Sequence, residues 1–105
     1  MYYIYMLRCE DNTLYTGIAA DWQKRFEEHK AQSKKCAKYT RSHKAVSVEA
    51  VWQTDSKSSA LKTESFIKSL SKHQKESIIV NPTNLCGMMK DKYDEVDVSV
   101  NEVTR

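Results

Sequence analysis

Five side chains have the chemistry to work as one centre: Tyr5, Tyr15, Arg25, His29 and Glu64. Their types suit phosphodiester hydrolysis. A carboxylate such as Glu64 holds one divalent metal, Mg2+ or Mn2+, through oxygen, with waters completing the shell. Arg25 is a natural donor to phosphate oxygens as charge builds in the transition state. A tyrosine or a histidine takes the proton of an attacking water. A phenol, with an ordinary pKa of about 10, needs a neighbouring cation for that task. Taken singly, each residue has a duller role. Strand tyrosines are mostly core or rim, a helical Arg–His pair is mostly surface, and a rim glutamate mostly pairs with lysine. The functional reading rests on the elements that bring the five together.

Tyr2 to Cys9 (YYIYMLRC) has apolar residues on both faces, which predicts a central strand covered on both sides. Glu10-Asp11-Asn12 is a turn, and Thr13 to Ile18 is the returning strand. Loop length decides which residues meet. A two-residue loop would pair Cys9 with Leu14 and put the two tyrosines on opposite faces. A three-residue loop with Asn12 in the left-handed region pairs Cys9 with Thr13. Leu7 then faces Tyr15, Tyr5 faces Gly17, and the tyrosines become diagonal neighbours. This second register is expected, because asparagine tolerates a positive φ. Asp21 caps a helix to about Ala31, with Trp22, Arg25, Phe26 and His29 on one stripe.

Val46 to Gln53 is the third strand, alternating Val46, Val48, Ala50 and Trp52 against Ser47, Glu49, Val51 and Gln53. Asp55 or Ser56 then caps a helix through about Leu70. Its apolar stripe of Ala60, Phe66, Ile67 and Leu70 has Leu61 at one margin. Helical spacing sets Glu64 on the rim of that stripe, off the side that carries Lys62 and Lys68. Ser71 and Gln74 form a capping box for a helix ending near Val80, and Asn81-Pro82 stops it. The expected fold is α+β, a three-stranded antiparallel sheet flanked by helices in the order β-β-α-β-α-α. Residues 1–80 form the domain. Residues 81–105 form an acidic C-terminal extension, ordered only in part. Within it, Met88, Met89 and Tyr93 suit packing on the body, and Val96, Val98 and Val100 alternate as an edge strand would.

Net charge is +3, but it is unevenly spread. Residues 1–90 hold 15 basic and 9 acidic side chains, whereas residues 91–105 hold two basic and five acidic. A basic body suits a polyanionic partner. Residues 33–45 contain no acid, and Lys34, Lys35, Lys38, Arg41 and Lys44 surround Tyr39 and His43. This stretch reads either as a solvated connector or as a basic loop that contacts phosphates, with Tyr39 available for stacking. No apolar run is long enough to span a bilayer. Met1 to Cys9 reads as a strand with no leader signature, so a cytoplasmic location is expected. Cys9, Cys36 and Cys86 form no C-x-x-C pair, which suggests neither a zinc site nor a disulfide framework.

These residues resemble the GIY-YIG nuclease superfamily, most closely its small stand-alone bacterial members. Tyr3-Ile4-Tyr5 stands at the first motif, and Tyr15-Thr16-Gly17 stands at the second, about ten residues on. Arg25 and His29 follow in order, and Glu64 lies on the helix after the third strand. The resemblance implies metal-dependent DNA cleavage, with Glu64 as metal ligand and Arg25 stabilising the phosphate. Tyr5 and Tyr15 would orient and activate water, aided by His29, and either tyrosine fits the general base. Gly17 would let the backbone turn closely beside the site. Tyr3 replaces the first motif's glycine and Thr16 the second motif's central isoleucine, changes that close relatives share. The expected function is a metal-dependent endonuclease in DNA repair or processing. The alternative is a non-catalytic nucleic-acid-binding module on the same fold. A third reading is a protein-interaction role centred on the acidic tail.

Overall fold

The computed structural model describes residues 1–93 and 95–101. Position 94 and positions 102–105, part of the expected acidic extension, lie outside the described residues. In chain order the elements are β1 (Tyr2–Cys9), β2 (Leu14–Ala19), α1 (Trp22–Lys30), α2 (Lys38–Ser42) and β3 (Ala45–Thr54). They continue with α3 (Lys57–Ser69), α4 (Lys72–Val80), α5 (Thr83–Lys92) and β4 (Ser99–Asn101). The sheet runs β2-β1-β3-β4 with antiparallel neighbours. The α+β class is as expected, but the sheet has four strands where the sequence predicted three. Two helices were also missed. α2 folds inside the basic stretch that was read as a loop. α5 begins directly after Pro82, a residue that lacks an N–H and so fits at a helix start.

β1 is central, as its two apolar faces require. Asn12 has φ 66°, and the Cys9 amide donates to the Thr13 carbonyl at 2.9 Å, so the three-residue loop forms. Leu7 lies opposite Tyr15 and Tyr5 opposite Gly17. The Asp11 carboxylate accepts from the Thr13 amide and hydroxyl at 3.2 and 2.6 Å, which tightens the turn.

The β1–β3 pairing is not regular. Met6 pairs with Ala50 but Leu7 pairs with Val48, so Glu49 is an inserted residue. Such a bulge reverses side-chain parity beyond it. Ala50 and Trp52 therefore face Ile4 and Met6, while Val48 packs against the cluster of Tyr5 and Leu7. Simple alternation had put Val48 on the same face as Ala50 and Trp52. Glu49, at the bulge, pairs with Arg8 at 3.5 Å and accepts from Ser47 at 2.8 Å.

The sheet is packed on both faces. Ile4, Met6, Ala50 and Trp52 meet Ala60 and Ile67 of α3, Ile78 and Ile79 of α4, and Leu85 and Met89 of α5. Trp52 is fully buried and its indole N–H donates to the Pro82 carbonyl at 2.9 Å. Val96 and Val98 are also buried there, and Thr54 donates to the Asp97 carbonyl, so the chain returns to the core before β4. Trp22 and Phe26 of α1 cover the other face, over Tyr5, Leu7 and Val51. Asp21, Ser56 and Ser71 cap α1, α3 and α4, and Ser71 and Gln74 complete the capping box. A bidentate Arg8–Glu76 pair, at 2.7 and 2.6 Å, ties β1 to α4.

Candidate active site

The site is built on the face covered by α1. Hairpin register puts Tyr5 and Tyr15 side by side, with ring centroids 6.3 Å apart. Helical spacing turns His29 inward from α1. It is fully buried, and its ring lies 5.9 Å from Tyr5 and 5.1 Å from Tyr15. The Tyr5 hydroxyl and His29 Nε2 are hydrogen-bonded at 3.0 Å. Gly17 makes this approach possible. A Cβ there would lie 2.6 Å from the Tyr5 oxygen, 2.8 Å from its Cζ and 3.1 Å from Tyr15 Cε2. Gly17 does not have a positive φ, so it serves by leaving space and not by turning the backbone.

Arg25 lies one helical turn before His29 and is half-buried. It donates to Glu28 at 3.1 Å and also to the Lys35 carbonyl, which anchors the start of the basic stretch. Burial pushes the Tyr5 phenol well above its ordinary range; Tyr15 adds to this and Arg25 opposes it. Burial also raises Tyr15, again against the pull of Arg25. Burial and then the Arg25 charge lower His29 to about 4, so the imidazole is neutral at pH 7.

Glu64 comes from α3, on the other side of the sheet. Its charge reaches both phenols and raises both. Its ion pair is with Lys68 at 3.4 Å, one turn along α3. That corrects the expectation that Glu64 points away from Lys68. The glutamate side chain is one-fifth exposed and the lysine half exposed, so the pair is weak and replaceable. Among the described residues, no three His, Cys, Asp or Glu groups converge. The carboxylate available to a metal among these residues is therefore Glu64 alone, whose charge reaches Tyr5 and Tyr15. A single carboxylate fits a hard divalent ion that keeps most of its waters.

The basic stretch carries exposed Lys34, Lys35, Lys38, Arg41 and Lys44 around α2. Tyr39 is not a free stacking surface. Its ring stacks on Tyr15 at 5.8 Å and on His43 at 4.2 Å. His43 is held by Asp11 at 2.5 Å, and Thr13 and then His43 lower Asp11 to about 2. A row of rings therefore runs from the tyrosine pair back to the hairpin turn. The sequence reading of residues 33–45, as a solvated connector or a phosphate-contacting basic loop, gave His43 and the buried Thr40 no part in the site.

The burial of His29 has a measurable consequence. The unfolded chain binds this proton near pH 6.5 and the folded one only near 4. The unfolded state therefore takes up the proton first, and stability falls as pH drops from about 6.5 toward 4. The loss expected is roughly 3 kcal/mol. Urea unfolding at a series of pH values checks this, with His29→Gln expected to give a flatter profile.

With this geometry in view, comparison with known proteins is direct. Residues 1–77 match the GIY-YIG catalytic domain. The chain belongs to the GIY-YIG family, a class of nuclease-type domains. Within it, the chain is 56% identical over 81 residues to a UPF0213 protein of Fusobacterium nucleatum, covering 77% of this chain and 79% of that one. It is 42% identical over 82 residues to a UPF0213 protein of the archaeon Natronomonas pharaonis, covering 78% and 94% of the two chains. The solution NMR structure of a UPF0213 protein from Bacillus halodurans aligns with a TM-score of 0.47 at 32% identity, covering 86% and 96%. No helix among the described residues is long and apolar enough to cross a membrane.

Proposed function

We propose that this protein is a metal-dependent endonuclease that hydrolyses phosphodiester bonds in DNA. We place it in the cytoplasm, in repair or processing of DNA. The observation that carries this reading is the Tyr5–His29 hydrogen bond inside a cluster with Tyr15 and Arg25, under the charge of Glu64. In this reading Arg25 donates to the phosphate oxygens where negative charge grows. The two phenols orient the attacking water; one of them takes its proton only as the phenolate, after giving its own proton to solvent, a loss that the Arg25 charge favours and burial opposes. His29 holds Tyr5 in place. Glu64 would hold one Mg2+ or Mn2+, which supplies positive charge beside the phosphate when bound. Lys34, Lys35, Lys38, Arg41 and Lys44 hold the backbone of the nucleic acid. Tyr39 supports Tyr15 from behind and keeps α2 against the site.

The test is a cleavage panel. Labelled duplex, single-stranded and branched DNA, and RNA, are incubated with the protein in Mg2+, in Mn2+ and in chelator. Cutting of at least one DNA with metal, and none in chelator, is the expected result. Salt-sensitive binding without cutting of any substrate would replace the nuclease with a binding module.

A further inference from the structure

We infer that Thr40 and the Ala37 amide hold neutral His29 as its Nε2–H tautomer, so that His29 donates to the Tyr5 hydroxyl. The inference rests on the proposed reading for its functional meaning, but its geometry stands independently. The Ala37 backbone N–H points at His29 Nδ1 at 3.4 Å, and an amide donor cannot rotate away. A proton on Nδ1 would set donor against donor. The Thr40 hydroxyl lies 2.7 Å from the same nitrogen and 3.0 Å from the Ala37 carbonyl. Its one proton can go to the Ala37 carbonyl or to the nitrogen; with the Ala37 amide aimed at a lone pair on Nδ1, the 2.7 Å contact is the stronger of the two. Nδ1 is then the acceptor of both groups, and the ring proton sits on Nε2, 3.0 Å from the Tyr5 oxygen.

Thr40 and His29 are both fully buried, so water does not compete for these contacts. The Tyr5 oxygen then accepts from His29, as it does from Arg25. Any negative charge that develops on that oxygen meets a fixed donor. His29 is then not the group that removes the Tyr5 proton. Thr40 is a positioning residue, acting on Tyr5 through the imidazole. It sits in α2, which explains why a five-residue helix is set against the end of α1.

The test is a histidine side-chain spectrum of the 15N-labelled full chain at pH 7, where two-bond couplings separate the tautomers. Wild-type His29 should show an N–H-type shift at Nε2 and a lone-pair shift at Nδ1. The reverse pattern, or a doubly protonated ring, overturns the inference. Thr40→Val leaves Nδ1 only the 3.4 Å amide contact, so a mixture of tautomers is expected. Thr40→Ser should restore the wild-type pattern. A single unchanged tautomer in Thr40→Val overturns the role given to Thr40. If that variant does not fold, the wild-type and Thr40→Ser spectra still decide, since a Nδ1–H ring in either sinks the idea. None of these readouts needs activity. Failure of the cleavage panel would remove the nuclease reading and leave the tautomer assignment standing.

Discussion

Gly17→Ala should lower both stability and cleavage, although it adds a single methyl group on a strand that does not use a special backbone conformation. The new carbon would meet the Tyr5 ring at 2.6 and 2.8 Å. Something must move, and Tyr5 has little freedom, being 1% exposed with neighbouring strands on both sides of β1. Overpacking of this kind costs about 1–3 kcal/mol. Relief comes from displacing the phenol, which lengthens its 3.0 Å bond to His29. A shift on the order of 1 Å at a reacting group lowers rate by about a hundredfold. Urea unfolding and cleavage rates check the two halves separately. Wild-type stability together with a wild-type rate would mean that the ring moves freely, and the site would not be preorganised. In Gly17→Ala/Tyr5→Phe the 2.6 Å clash disappears with the oxygen, so the double variant should lose less stability than the two single losses added together, while cleavage does not recover.

Tyr5→Phe should be the most damaging conservative change. It keeps the ring but strands the His29 Nε2 group, which is fully buried and has no water to turn to. An unpaired buried polar group costs about 1–3 kcal/mol. If Tyr5 handles the proton of the attacking water, cleavage falls by about 10²–10⁴ as well. Tyr15→Phe is the comparison. Tyr15 is only half-buried and its hydroxyl makes no hydrogen bond among the described residues, so its stability change should stay within about 0.5 kcal/mol. The phenol whose loss lowers the rate more is the one that carries the proton. Equal rates for both variants and wild type would remove the phenols from the chemistry.

Much of this geometry was legible before the fold was known, and the reasons are local. Asn12 announced the turn, the turn fixed the register, and the register set Tyr5 beside Tyr15. Spacing along α1 put Arg25 and His29 on the stripe that faces the sheet. The failures have physical causes too. Alternation could not reveal a bulge at Glu49, because an inserted residue is a property of the pairing and not of one strand. Pro82 looked like an ending because it does end α4, but its missing N–H also suits the start of α5. β4 has only three residues, and its hold comes from Val96 and Val98 just before it. α2 has no side-chain cap and is five residues long, so nothing in its periodicity marked it. Its contribution, Thr40 against His29, depends on contact across eleven residues of chain.

In the proposed function, two phenols, a guanidinium and the Glu64 carboxylate form one hydrolytic centre. The most direct test is single-turnover cleavage of labelled DNA by wild type and Glu64→Gln at matched Mn2+, with melting measured in parallel. The ion pair of Glu64 is a weak one with half-exposed Lys68, and glutamine keeps the shape of the side chain, so melting should change by no more than about 0.5 kcal/mol. The rate should fall on the order of a thousandfold, because in the proposed mechanism Glu64 is the carboxylate that would hold positive charge beside the phosphate. An equally stable Glu64→Gln that cuts at the wild-type rate would contradict the account.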